Sequence, residues 1–319
     1  MRAGKCLPGI KALAEIAKRS LDTLSAQDLG FALGPRLNAA GRLEDMSIGI
    51  QCLLAPDLPS ARKLATALDQ LNQARRQLEQ EMVDDAQLML ADAQADNSRV
   101  GLTLYHEDFH QGVVGIVAGR VREKYHKPAI VFADAGDNAP DELKGSARSI
   151  DDLHIRDVLD WMAACHPGLL LKFGGHAMAA GLSIKRVHLA RFGVIFDKAV
   201  RRFAQPAMLD AKLVTDGVLP VADLTLATAQ LLAESGPWGS GFPEPSFEGV
   251  FEVVSQRVVG EHHLKLVLKI AGKVLDGIAF RQQPIASDIH SIRLVYRLSV
   301  NDYGQWPTLQ LMVEHLEPA

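Results

Sequence analysis

Hydrophobic residues change their spacing three times along this chain, and each change predicts a different architecture. Over residues 9–19, Ile10, Leu13, Ile16 and Ala17 recur at helical intervals. The longest periodic stretch runs from 60 to 95. Leu64, Leu68, Leu71, Leu78, Met82, Ala86 and Met89 fall at steps of three, four or their multiples. Arg62, Lys63, Asp69, Gln73, Arg76, Gln80 and Asp84 take the other face. This predicts one amphipathic helix of roughly 50 Å, long enough to separate two domains. Asp96, Asn97 and Ser98 end it.

From residue 99 the pattern alternates. Strands are predicted at Val100–Tyr105, Ala129–Phe132, Leu143–Ile150 and Ala180–Ile184, and helices at 112–125, 155–164 and 189–203. That is a mixed α/β (α+β) domain over 99–205. After Pro206 the texture changes again. Residues 218–235 read as helix or loop, and the turn-rich run Gly236–Pro245 as a hinge. Short β runs follow at 247–254, 256–260, 263–270, 273–280, 292–300 and 307–316. Five or six such strands suggest a small all-β barrel of the OB type over 246–319.

Composition changes this picture little. The 319 residues are 48% hydrophobic and 23% charged, with a net charge of −4, so any nucleic-acid contact must rest on local positive charge. Cys6, Cys52 and Cys165 are an odd, widely spaced set with no CxxC, which predicts a reducing cytoplasm rather than a disulfide framework. The basic N-terminus lacks the apolar core of a signal peptide, and no run approaches the about 18 apolar residues of a membrane helix. The opening GKCLPGIKALAEIA reads like the middle of a domain.

Three segments carry candidate chemistry. In Lys172–Gly181 (KFGGHAMAAG), Gly174 and Gly175 allow close approach, His176 follows, and small residues continue. A glycine-lined turn with an imidazole suits an oxyanion, most simply a phosphate. A tight turn with a capped histidine fits those residues equally well. In Gly145–Ser149 (GSARS), Ser146 and Arg148 share one face of a strand, a good pair for a phosphate, with Ser149 beside them; a strand with one solvated face is the alternative. In Gly34–Arg42, Gly34 and Pro35 are expected to break the helix, leaving Arg36, Asn38 and Arg42 among small residues. These fit either a phosphate site or surface arginines at a helix–loop junction.

Other signals are weaker. His106–His110 matches HExxH, but its place after a strand predicts a loop, not the helix that zinc-protease chemistry needs. His110, at a helix start, is better read as a cap or a phosphate neighbour. No Asp-x-Asp or Asp-His-His cluster for two metal ions is present. Residues 246–319 hold seven Lys/Arg against eight Asp/Glu, with no strong basic footprint. Tyr303 and Trp306, in a loop around Gly304, are the base-stacking candidates there; Phe251 and Phe280 are expected in the core.

The ordered set GPRLNAAGRLEDM, long helix, HQGVVGIVAGR, KGSARS, KFGGHAMAAGLSI and GPWGSGFPEP resembles the RecJ family, bacterial single-stranded-DNA-specific 5′→3′ exonucleases of the DHH superfamily. The resemblance covers essentially the whole chain. It implies the end of a DHH domain at 1–45, a connecting helix at 46–98, a DHH-associated α/β domain at 99–205, a helical hinge connector at 206–245 and an OB-fold at 246–319. It implies that Arg36 and Arg42 match the family's arginine motif. Ser146 and Arg148 match its terminal-phosphate motif. Gly174, Gly175 and His176 match the GGH motif beside the scissile phosphate. Manganese or magnesium serves the family, but its Asp and Asp-His-His motifs should precede position 1. The expectation is therefore a substrate-gripping part that binds no metal and does not hydrolyse DNA alone, a role in repair and recombination, and as partners single-stranded DNA, a DHH domain and a single-strand-binding protein. The other reading is a non-catalytic single-strand-binding or protein-interaction module. Leu29, Phe31 and Leu33 are expected to lack packing partners, leaving that region prone to local disorder or aggregation.

Overall fold

The computed structural model describes residues 1, 5–93, 99–239, 241–260, 263–302 and 304–319. They form two compact units, Met1–Ala211 and Lys212–Ala319.

The first unit opens with α1 (Pro8–Ile16), a short α2 (Ala26–Asp28), a π-helical turn at Leu29–Leu33, α3 (Gly34–Leu43) and α4 (Ser47–Leu53). Gly34 and Pro35 do not break the helix as expected. They occupy the first turn of α3, where proline's missing N–H costs nothing. Leu33 is buried, against expectation, whereas Phe31 is 77% exposed.

The predicted long helix is α5 (Leu58–Ala93), 36 residues and about 54 Å. The expected end at 96–98 lies outside the described residues. Near its start, Ala61, Ala65 and Leu68 are buried in a core shared with α1, α3 and α4. Near its end, Met82, Ala86 and Leu90 join a second core. Between them the buried stripe turns polar. Asn72 and Glu79 are buried, and Glu79 accepts from Arg75 (2.5 Å) and from Arg120 (3.2 Å) on the next helix.

The sheet that follows contains β1 (Leu102–Tyr105), β2 (Ala129–Asp134), β3 (Glu142–Arg148), β4 (Lys172–Gly175) and β5 (Ala179–Lys185), in the order β1-β2-β3-β5-β4. Only β1 and β2 are parallel, joined by the crossover helix α6 (Val114–Tyr125); the other pairs are antiparallel. On one face, α7 (Ile155–Cys165) and α8 (Leu189–Phe203) pack on Ile130, Phe132, Leu143 and Leu182. On the other, α5 and α6 pack on Ala129, Val131 and Ala133. Strand β2 is thus covered twice, which is why it is apolar from Ala129 to Ala133. No described residue of β3, β4 or β5 belongs to the hydrophobic core shared with α5 and α6; α6 instead packs against the polar face of β3 beside an open cleft. A short α9 (Pro206–Leu209) packs Met208 and Leu209 beneath α7 and α8.

The second unit is a closed five-stranded barrel of β6 (Phe247–Val259), β7 (His263–Ile270), β8 (Lys273–Phe280), β9 (Ser291–Asn301) and β10 (Thr308–Pro318). Its single parallel pair, β8–β10, closes an OB-type barrel. The runs 247–254 and 256–260 are one strand, kinked by a bulge near Val254. Part of the expected connector belongs to this unit: Leu224 and Ala229, the latter on α10 (Leu226–Ser235), are buried in the barrel core. Phe251 and Tyr296 fill the core, and burial pushes the Tyr296 phenol up to about 12. Phe280 was expected inside and is 55% exposed, its ring edge-to-face with His263 at 4.9 Å.

Candidate phosphate-binding site

Alternation along β3 sends Leu143 and Ala147 into the core and Lys144, Ser146 and Arg148 to the opposite face. An open cleft of about 500 Å³ lies over that face. The first turn of α6 forms one wall and Arg42, from the last turn of α3, another. Arg42 donates to the Gly112 carbonyl at 3.2 Å. That approach needs a glycine, since a Cβ at 112 would stand 2.0 Å from the Arg42 carbonyl oxygen.

Arg148 lies along the floor. Its Nη1 donates to Ser146 Oγ (2.9 Å) and to the Ala147 carbonyl (2.8 Å), and it makes no ion pair among the described residues. Burial pulls its pKa below the usual arginine range, and the charges of Arg42 and Arg122 lower it further. A partly desolvated guanidinium surrounded by cations favours an anion beside it. The charged side chains lining the cleft are Arg42, Lys144, Arg148 and Lys172, with no carboxylate among them.

The other predicted residues are distributed differently. Arg36 does not reach the cleft: its Nε pairs with Asp69 of α5 at 2.7 Å, and its Nη1 donates to the Ala32 carbonyl. Asn38 is exposed and lies outside the cleft lining. Ser149 is buried, and its hydroxyl donates to the Leu153 carbonyl at 2.6 Å, so it faces away from Ser146 and Arg148. His110 lies in the loop after β1 and accepts from the Gly112 N–H through Nδ1 (3.1 Å), a local cap. The HExxH match is in that loop, not on a helix.

Gly174 and Gly175 belong to strand β4 rather than to the expected turn, with Gly174 opposite Gly181. Gly175, at φ +154°, passes so close to β5 that a Cβ would lie 2.3 Å from the Ala179 carbonyl oxygen. His176 sits exposed at the hairpin tip, and its backbone N–H donates to Ala179. Its side chain does not line the cleft. In the barrel unit, Trp306 is 75% exposed, while Tyr303 lies outside the described residues. Sequence reasoning missed Gly115, Lys144 and Lys172. The two-residue period of β3 was the available signal for Lys144, which shares the face of Ser146 and Arg148.

Among the described residues no group of three or more His, Cys, Asp or Glu side chains gathers as a metal site. The cationic cleft does not fit a divalent cation, which its four positive charges would repel. No described helix is long and apolar enough to cross a membrane.

Fold and cleft together define a DHH-associated α/β domain joined to an OB barrel. Residues 97–204 match the DHHA1 domain and residues 215–315 the RecJ OB domain. The chain is 49% identical to the single-stranded-DNA-specific exonuclease RecJ of Dickeya dadantii, covering 100% of this chain and 56% of that relative. Crystal structures of Thermus thermophilus RecJ with Mg2+ and with Mn2+ each superpose with a TM-score of 0.78 over 98% of this chain, at 26% and 27% identity, covering 46% and 44% of theirs. The chain belongs to the RecJ family, matching its C-terminal part, and spans little more than half the length of that curated relative.

Proposed function

We propose that this chain grips single-stranded DNA by its phosphates, as the substrate-holding part of a single-stranded-DNA-specific exonuclease. In this reading a terminal phosphate sits between Arg148, Ser146 and Arg42. The observation that carries it is Arg148: a partly buried cation with no carboxylate partner among the described residues, in a cleft lined by further cations. A phosphate supplies the missing charge and accepts from both the guanidinium and the hydroxyl. His176, exposed at the β4–β5 tip without a side-chain partner among the described residues, is available to a strand lying across that hairpin. The names of the curated relatives agree with such a substrate.

The test is Arg148→Ala, read as the anisotropy of labelled, 5′-phosphorylated oligothymidylate. A charge-assisted hydrogen bond is worth ~1.5–3 kcal/mol, so affinity should fall about tenfold or more. Affinity should also fall with salt as phosphate contacts release counterions. Unchanged affinity in a folded variant, or a flat salt response, refutes the reading in favour of an interaction module.

A further inference from the structure

Helix α6 runs along β3 with two flanks of different character. Beside its start, Lys144 Nζ donates to Gln111 Oε1 at 3.0 Å. One turn on, Gly115 faces Ser146 Oγ and the Arg148 guanidinium. The helix therefore advances along β3 in the direction from Lys144 to Arg148. Its buried stripe is Val114, Val117, Ala118 and Val121. On one side of that stripe Arg120 reaches α5, where its Nε donates to Glu79 at 3.2 Å. On the other side Gly115, Gly119 and Arg122 follow one another at steps of four and three. Arg122 is about 10.5 Å further along the axis than Gly115 and within about 20° of it around the helix.

This second flank is bare at its middle and ends in a cation. A Cβ at Gly119 would meet nothing within 4 Å, so space is open beside the helix there. Arg122 is half-buried, and among the described residues its ion pair is with the exposed, neighbouring Glu123 at 3.5 Å. A solvated pair of that kind contributes little. Burial does most to lower the Arg148 pKa, and the charges of Arg42 and Arg122 lower it further. Arg148 thus stands between two like charges, Arg42 at the start of α6 and Arg122 beyond Gly119. Anions lying among them relieve that repulsion. The sheet register locates the far end. Arg148 lies opposite Ala179, and the His176 N–H donates to the Ala179 carbonyl at 2.9 Å. Arg122 and the His176 hairpin tip are therefore both at the Arg148 end of β3, with only the small Ala179 between Arg148 and His176.

We propose that Arg122 binds an internucleotide phosphate of the strand as it leaves Arg148 toward the His176 hairpin. The terminal phosphate stays at Arg148, Ser146 and Arg42, and the open flank at Gly119 admits the nucleotide between. This rests on the phosphate reading of Arg148 and adds the residue that the following stretch of backbone meets on the α6 side.

The experiment titrates the full chain with thymidine 5′-monophosphate and with 5′-phosphorylated oligothymidylate over a series of salt concentrations. Arg122→Ala should bind the oligonucleotide about three- to tenfold more weakly while binding the monophosphate as the parent does. Its slope of log affinity against log salt should become shallower by about 0.7, the share of one phosphate contact on a single strand. Arg122→Lys keeps the charge and should keep the parental slope. Arg148→Ala should weaken both ligands. The assignment is overturned if Arg122→Ala holds the oligonucleotide with parental affinity and slope, or loses the monophosphate equally. A slope for Arg122→Lys as shallow as that of Arg122→Ala also overturns it. If Arg148→Ala leaves the monophosphate unaffected, the underlying phosphate reading fails instead. Thermal melting of each variant separates loss of binding from loss of fold.

Discussion

The Arg148 guanidinium rests on the bare backbone of Gly115: a Cβ at 115 would stand 2.9 Å from Arg148 Nη2 and 3.0 Å from Ser146 Oγ. The first turn of α6 therefore shapes the anion site by lacking a side chain. Gly115→Ala should displace the mobile end of Arg148 and not the backbone. Helix propensity alone favours alanine by up to ~1 kcal/mol. The expected result is an equal or higher melting temperature together with several-fold weaker binding of a 5′-phosphorylated strand. Parental binding would remove Gly115 from the site.

Gly112 makes a different contact. Its missing Cβ is occupied by the Arg42 carbonyl, which is backbone and cannot swing away. Gly112→Ala should cost about 1–3 kcal/mol of stability, the range for overpacking a filled site. Urea unfolding measures it. An unchanged midpoint would mean that the junction between α3 and α6 is looser than the 3.2 Å Arg42–Gly112 hydrogen bond indicates.

Ser149 separates a structural serine from a ligand-binding one. Ser149→Ala leaves the Leu153 carbonyl without its hydroxyl donor, and should cost ~1–3 kcal/mol of stability. Phosphate binding should stay at the parental level, because the hydroxyl faces away from the cleft. Weaker binding with intact stability would return Ser149 to the site.

Asp197 on α8 accepts from the Val100 N–H (2.7 Å), the Gly101 N–H (3.1 Å) and Arg201 Nε (2.9 Å). Burial pushes its pKa up, but the bonds from Arg201, Gly101 and Val100 outweigh this and leave it below the usual aspartate range. A pKa depressed by folding contributes stability that is present above the unfolded value, about 3.9, and lost as pH falls through the folded value. Asp197→Asn should therefore reduce stability at pH 7 and flatten the acid limb of the pH–stability curve. Chemical denaturation from pH 7 to pH 2.5 tests both, and parallel curves for the two proteins would sink the assignment.

Much of this was legible in the chain itself, and the limits have physical causes. A strand's period of two determines the shared face of Ser146 and Arg148 whatever surrounds it. A helix's period determined the buried stripe of α5, including Leu68, Met82 and Ala86. Short alternating runs sufficed for the barrel. Sequence did not reveal that Gly34 and Pro35 start a helix rather than break one. Once Arg36 and Arg42 lie on that helix, six residues at about 100° each set them some 120° apart. One then pairs with Asp69 and the other reaches the cleft. Ser149, an odd step from Ser146 and Arg148, follows the same alternation onto the buried face, so the strand's period already set it apart from that pair.

The sequence by itself determined most of the elements, though not the start of α3 or strand β4, together with the family and the shared face of Ser146 and Arg148, because these follow from local periodicity and from motifs in order. Only the tertiary structure decided which cations meet. Lys144 and Lys172 are 28 residues apart in the chain and join one row through Ser183. Arg42 reaches Gly112 because α3 and α6 both pack on α5. Such meetings depend on inter-strand register and on which helix covers which part of a sheet, and neither is written in the spacing of any single segment.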